Sequence, residues 1–413
     1  MLIRFRPPDA LAAQSQSGLA GDATDALYPY DAIQNKPTPP TETPMSNAGK
    51  PFRADHVGSL LRTPALLAAR DQFANQQITR EQLRAAEDKS INHVVKLQEE
   101  AGLDSITDGE QRRDWWHVDF LCGFDGVNIT EGSWGVDFHG TKKDEQPPIM
   151  AVTEPIRRTK PNMLDHFTYL KSVTRKTPKF SMPAPGMLHA RGERDSLHKT
   201  YPDLDLFWAD LTTAYHQEMM AMYAAGCRYF QIDDTTVAMM GDPKVRDQFK
   251  SKGDDPDKTI AMYTEATNMA IKGLPVDATV AIHTCRGNFK STWMASGGYD
   301  SVADTVFGRL NVNAFFLEYD DERSGGFEPL RFVPKGKRVV LGLISSKLPK
   351  LESKDELKRR IDEAAKFIPK EQLCISPQCG FSSTHHGNVM SEDDQKRKLA
   401  LCVEVADEVW GSA

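Results

Sequence analysis

The chain reads as an α/β protein of the (β/α)8 TIM-barrel class, and three observations carry that expectation. Eight short strand-like runs recur from residue 52 onward, near 52–57, 103–107, 179–184, 228–233, 278–283, 313–318, 338–343 and 372–376. Helical stretches separate them, and strands alternating with long helices imply βαβ units and a parallel sheet. Polar, ligand-grade residues follow nearly every run, and barrel enzymes place their catalytic groups at the C-terminal ends of the strands. A doubly wound open sheet is the competing architecture, but no G-x-G-x-x-G follows the first run.

The helices carry start and stop signals. Thr79-x-x-Gln82 is a capping box leading into Leu83, Ile91, Val94 and Val95, with a stop at Gly102. Leu204, Phe207, Trp208, Leu211, Tyr215, Met219 and Met222 keep a helical stripe ending at Gly226. Ser353-x-x-Glu356 opens a helix bearing Leu357, Ile361 and Ala364, with Pro369 beyond it. A last helix starts after Ser391 and runs through Leu399, Val403 and Val409. A long insertion, about 112–178, separates the second and third runs. Its Gly123, Gly126, Gly132, Gly135 and Gly140 suggest loops or a hairpin over the barrel mouth.

Residues 1–50 have no helical or strand period, and their Lys36–Pro44 run is rich in proline and threonine. They are expected to form a disordered extension, with the barrel occupying 51–413. The 413-residue chain is long enough to bury a sizeable core, and 39% hydrophobic with 26% charged is ordinary for a soluble protein. A net charge of −7 argues against a nucleic-acid partner, which would need a basic face. No apolar stretch reaches membrane-span length. Six cysteines spread without framework spacing read as reduced thiols in a cytoplasmic protein, some of them candidate metal ligands. The sequence is silent on oligomeric state.

The chemistry starts at Ala281-Ile282-His283-Thr284-Cys285. A His and a Cys two residues apart on a strand point to the same side, and imidazole and thiolate are both zinc ligands. Reading the later strand ends closes a tetrahedral site with His283, Cys285, Glu318 and Cys379. Two thiolates and a carboxylate leave a zinc centre with a net charge of −1, electron-rich enough to bind a substrate thiol, ionise it and keep the sulfur nucleophilic. Glu110 and Asp233, at two other strand ends, suit the ammonium of an amino-acid substrate. The hydroxyl and backbone N–H groups at Gly58-Ser59 suit its carboxylate.

These residues resemble the cobalamin-independent methionine synthases, specifically their zinc-bearing C-terminal barrel and its shorter single-barrel relatives. Phe52–Arg62 and Asp108–His117 are similar to motifs of the short relatives. Gln231-Ile232-Asp233-Asp234 is similar to the family's Q-I-D-E, His283-Thr284-Cys285 to its H-x-C, and Glu318 and Pro377-x-Cys379-Gly380 fall where it has its other zinc ligands. The resemblance implies zinc-dependent methyl transfer to homocysteine, with Ser59 holding the carboxylate and Glu110 and Asp233 the amino group. Two departures stand out. Residues 1–50 cannot form the second barrel that helps the full-length enzymes hold a polyglutamylated folate. The segment Gly342–Lys347 also lacks the family's His, which is thought to protonate the folate leaving nitrogen. His117, His385 and His386 are the candidate general acids. The methyl donor is open between methyltetrahydrofolate, a methylcorrinoid and another methylated small molecule. The alternative is a zinc-dependent thiol alkyltransferase of the epoxide-opening coenzyme M type.

Overall fold

The computed structural model describes residues 52–131 and 148–411. The expected extension over 1–50, and Gly132, Gly135 and Gly140 of the insertion, lie outside the described residues. In chain order the strands are β1 (Ser105–Ile106), β2 (Asp125–Thr130), β3 (Ile149–Arg157), β4 (Thr177–Pro183), β5 (Tyr229–Asp234), β6 (Thr279–Thr284), β7 (Ala314–Glu318), β8 (Arg338–Ile344) and β9 (Leu373–Pro377). Seven of them form one parallel sheet in the order β1-β4-β5-β6-β7-β8-β9, curled into a TIM-barrel-like half-barrel, and β2 and β3 form a separate antiparallel hairpin. That hairpin is the expected insertion, and it packs on the helices Arg194–Thr200 and Leu204–Ala224.

The first expected strand, 52–57, differs. It joins β9 by two backbone hydrogen bonds, Asp55 N–H to the Ile375 carbonyl (3.1 Å) and Ile375 N–H to the Arg53 carbonyl (2.8 Å). Toward β1 side chains replace the ladder: Ser105 Oγ donates to Asp55 (2.6 Å) and Thr107 Oγ1 to the Gly58 carbonyl (2.6 Å). β1 is itself only two residues long, and its register partner Pro178 has no N–H to extend the pairing. The barrel therefore closes here through polar side chains.

Residues alternate between two apolar compartments with period 2. Phe230 and Ile232, Val280 and Ile282, and Phe315 and Leu317 face the surrounding helices in the main core. Tyr229, Ala281, Ala314, Phe316, Val340 and Cys374 form a second cluster inside the barrel. Continuing along the same faces toward the strand ends brings Gln231 and Asp233, His283, and Glu318 above that layer. The strand period thus delivers the polar groups to the mouth of the barrel.

The helices follow their signals. Arg80–Glu100 starts with a complete Thr79–Gln82 capping box, Ser353 caps Lys354–Ala364, and Ser391 with Asp394 caps Glu392–Trp410. In Leu204–Ala224 the expected stripe from Phe207 to Met222 is buried. No described helix is long and apolar enough to cross a membrane. All six cysteines are free thiols.

Candidate active site

His283, Cys285 and Cys379 converge at the mouth: their ligand atoms lie within 4.8 Å of one another and all three residues are buried. β6 carries His283, with Cys285 just past its end, and Cys379 follows β9, which joins the sheet at its far edge. The two sulfurs are 3.8 Å apart. Neither imidazole nitrogen of His283 has a well-formed hydrogen bond; burial would lower its pKa, but the Cys379 sulfur, Asp233 and Glu318 outweigh it and raise it. Two soft sulfurs and an imidazole left without satisfied nitrogens are the donor set a thiophilic cation takes, so the residues fit a metal.

Glu318 stands apart from that trio. Its Oε2 accepts from the Arg286 backbone N–H (2.7 Å) and Nη1 (3.3 Å), and its Oε1 accepts from Lys347 Nζ (3.1 Å) and Gln378 Nε2 (3.2 Å). Arg323 Nη2 lies 3.5 Å from Oε1. Burial would raise the pKa of this carboxyl, but Lys347, Arg286 and Arg323 outweigh it and hold it at about 2. In the sequence Lys347 is only the last residue of the Gly342–Lys347 segment that lacks the family's His. That it faces Glu318 depends on side-chain directions from adjacent strands, which single-sequence spacing does not give.

The three residues expected to hold the substrate line one cavity with His283, Cys285 and Cys379. Val57, Ser59, Glu110, Asp233, His283, Cys285 and Cys379 all wall it, together with Trp116, Arg191 and Thr235. Ser59 packs so closely on Gly380 that an added Cβ there would stand 1.9 Å from its Oγ, so the family-like Cys379-Gly380 pair needs its glycine. Gly109 and Glu110 both have positive φ, +65° and +56°. Asp108 Oδ1 accepts the Glu110 N–H (2.9 Å), and the strained turn is of the kind found at functional positions. Ser181 Oγ donates to Glu110 Oε1 (3.0 Å), while Oε2 is buried with no partner. Burial pushes the Glu110 carboxyl up despite Arg113 and Arg62. Asp233 accepts from Gln231 Nε2 (2.7 Å). Its carboxyl is pushed up to about 7, chiefly by burial, with His283 opposing and Glu110 adding to the rise.

None of the three candidate general acids walls this cavity. His117 is buried against Trp116, with ring centroids 4.9 Å apart, and burial drives its pKa well below the ordinary value. His385 is half-buried and His386 exposed on a rim built by the stacked rings of Trp115 and Phe289, 6.0 Å apart. Two further cavity residues had no role in the sequence reading: Trp116, which lies within the Asp108–His117 motif, and Arg191. Arg191 sits on the short helix Gly186–Arg191 after β4, where neither periodicity nor a motif marks it.

Comparison with known proteins places the chain in a family. The uncharacterized proteins YxjH and YxjG of Bacillus subtilis (strain 168) are 45% and 44% identical, over 87% and 92% of this chain and 95% and 100% of their own. A solved Listeria monocytogenes protein, described as a candidate vitamin-B12-independent methionine synthase, superposes with a TM-score of 0.70 at 36% identity, covering 89% of this chain and all of that one. The 5-methyltetrahydropteroyltriglutamate–homocysteine methyltransferase of Bacillus velezensis is 23% identical over 79% of this chain, which spans only 39% of that longer protein. The family model described as "Cobalamin-independent synthase, Catalytic domain" matches residues 52–407. This chain therefore belongs to the cobalamin-independent methionine synthase family, through its catalytic domain.

Proposed function

We propose that this chain transfers a methyl group from a folate- or corrinoid-type donor to the thiol of homocysteine, giving methionine. The observation that carries the reading is a single cavity walled by the His283–Cys285–Cys379 trio and by Ser59, Glu110 and Asp233. His283, Cys285 and Cys379 would hold zinc, and Glu318, which stands apart in its pairs with Arg286 and Lys347, would have to turn from them to serve as the fourth ligand before the thiol arrives. Zinc supplies the positive charge that lets a thiol ionise near neutral pH. The chain's own residues orient the substrate. Glu110 and Asp233 receive the ammonium, a cation that two desolvated carboxylates favour strongly. Ser59 Oγ receives the carboxylate, and the walls keep bulk water from the sulfur. The new S–C bond forms as the donor's bond to the methyl breaks in line.

A methyl-nitrogen donor needs a proton at its leaving nitrogen. His385 and His386, beside the Trp115 and Phe289 rings, would serve a donor that reaches them from solvent, whereas His117 is buried against Trp116. One observation favours a second reading: Arg191 walls the same cavity, and a cation there also suits a thiol with an anionic end, as in a zinc-dependent alkyltransferase of the coenzyme M type. Free thiols throughout suit a cytoplasmic enzyme.

Zinc-edge X-ray absorption with and without homocysteine tests the proposal. An added sulfur scatterer at the expense of an oxygen or nitrogen ligand is expected. Addition of sulfur by another thiol but not by homocysteine would transfer the function to the alkyltransferase reading.

A further inference from the structure

Beneath the cavity, inside the barrel, lies an ion pair that the proposed reaction does not use. Lys179 and Asp55 are both fully buried, 2.7 Å apart, against Tyr229 and Phe316 of the interior apolar cluster. Such a pair is a poor stabilising device, because desolvating two charges costs about as much as their attraction returns. On its other side the pair meets the apolar cluster of Ala281, Ala314, Phe316 and Val340, and the Asp55–Ser105 bond at the barrel closure needs an acceptor but no buried cation.

The hydrogen bonds show what the pair does. Asp55 collects four donors: Lys179 Nζ (2.7 Å), Ser105 Oγ (2.6 Å), Tyr229 Oη (2.7 Å) and the His56 N–H (2.7 Å). Lys179 has three protons and three acceptors, namely Asp55, the His56 carbonyl and Gln231 Oε1 at 3.2 Å. An ammonium only donates, so Gln231 must turn its carbonyl oxygen toward Lys179. Its amino group then faces the Val57 carbonyl and Asp233 Oδ1 (2.7 Å), both acceptors. The amide orientation is thus forced from both ends rather than being a free choice. With Lys179 gone, Gln231 Oε1 loses its donor, and the side chain is held only at its amino end, by the Val57 carbonyl and Asp233, free to tilt and take the carboxylate with it.

We propose that Lys179 is a positioning residue: through Gln231 it fixes the Asp233 carboxylate in the orientation that receives the ammonium of the amino-acid thiol. The inference rests on the reading that Asp233 binds that ammonium. It predicts a specific defect, loss of recognition of the amino group, in a variant altered beneath the substrate cavity.

The test uses the zinc-loaded enzyme and two thiols, homocysteine and 4-mercaptobutanoate, which lacks the amino group. The double variant Asp55→Asn/Lys179→Met removes both charges together and leaves no lone ion in the barrel. Gln231→Leu cuts the same link while keeping the pair, and serves if the double variant does not fold. Titration calorimetry should show wild type preferring homocysteine. Either variant should weaken homocysteine binding by about tenfold, the worth of one charge-assisted hydrogen bond, and leave 4-mercaptobutanoate within about twofold. Full retention of the preference in a folded variant overturns the proposal, and so does an equal loss for both thiols, which marks a merely structural role. A wild type that does not distinguish the two thiols overturns the ammonium reading of Asp233 itself, and the proposal with it.

Discussion

Glu318 on one side of the barrel mouth and the Glu110–Asp233 pair on the other are equally buried carboxylates in opposite electrostatic states. Arg286, Arg323 and Lys347 surround Glu318 and hold it near 2, ionised at any working pH. Glu110 has one ion pair, with Arg113 Nη1 3.4 Å from Oε1, and an Oε2 without a hydrogen-bond partner. Asp233 has no Lys or Arg ion pair among the described residues, and burial drives both carboxyls upward. Burial is common to the two regions, so it cannot be the cause of the difference. The number of facing cations is. A satisfied carboxylate belongs to the framework or to a bound metal. An unsatisfied one leaves a place for a cation brought by a ligand, and that is the physical basis for assigning the ammonium to Glu110 and Asp233.

Breaking the satisfied side should have the largest effect on stability. Lys347→Met takes one cation from a fully buried carboxylate and is expected to cost about 3 kcal/mol in urea unfolding. Glu110→Gln breaks only the longer 3.4 Å pair with Arg113, which keeps the Ser181 carbonyl as an acceptor, and should cost less. Equal losses in the two variants would erase the contrast.

Binding should separate the regions the other way. Glu110→Gln or Asp233→Asn is expected to raise the KM for homocysteine roughly 30-fold, about 2 kcal/mol, while the fold is retained. A KM within twofold of wild type in both variants would remove the ammonium site.

The smallest and most diagnostic effect is in pH. Asp233 rises from an ordinary 3.8 to about 7, so its contribution to stability is complete below about 4 and is lost as pH climbs toward 7. Asp233→Asn should therefore gain on wild type progressively between pH 4 and 7. Glu318 falls from 4.5 to about 2, so its contribution is present above about 4.5 and is lost as pH drops through 2. The deficit of Glu318→Gln should shrink over that acid range. Parallel pH profiles for the two variants would show that the carboxylates do not differ.

Much of the fold was legible in the sequence because its signals are local. The Thr79–Gln82 and Ser391 caps, the stripe from Phe207 to Met222 and the apolar runs at β4 to β9 each sit within a few residues of the chain. The first strand was the exception. Residues 53–57 join β9 through the backbone but meet β1 through Ser105 and Thr107 side chains, a closure that apolar patterning does not announce.

The same division holds for the site. By itself the sequence determined the ligand-grade residues: His283 and Cys285 two apart on one strand face, and Cys379, Glu110 and Asp233 at the ends of other runs. Period-2 geometry and barrel topology suffice to send such groups to one mouth. Only the tertiary structure decided that Glu318 is ringed by Arg286, Arg323 and Lys347, that Arg191 walls the cavity, and that Lys179 reaches Asp233 through Gln231. Those contacts join residues from separate elements, and their energies depend on the burial and opposing charge at each point in space. Neither quantity is written in the spacing of residues along the chain.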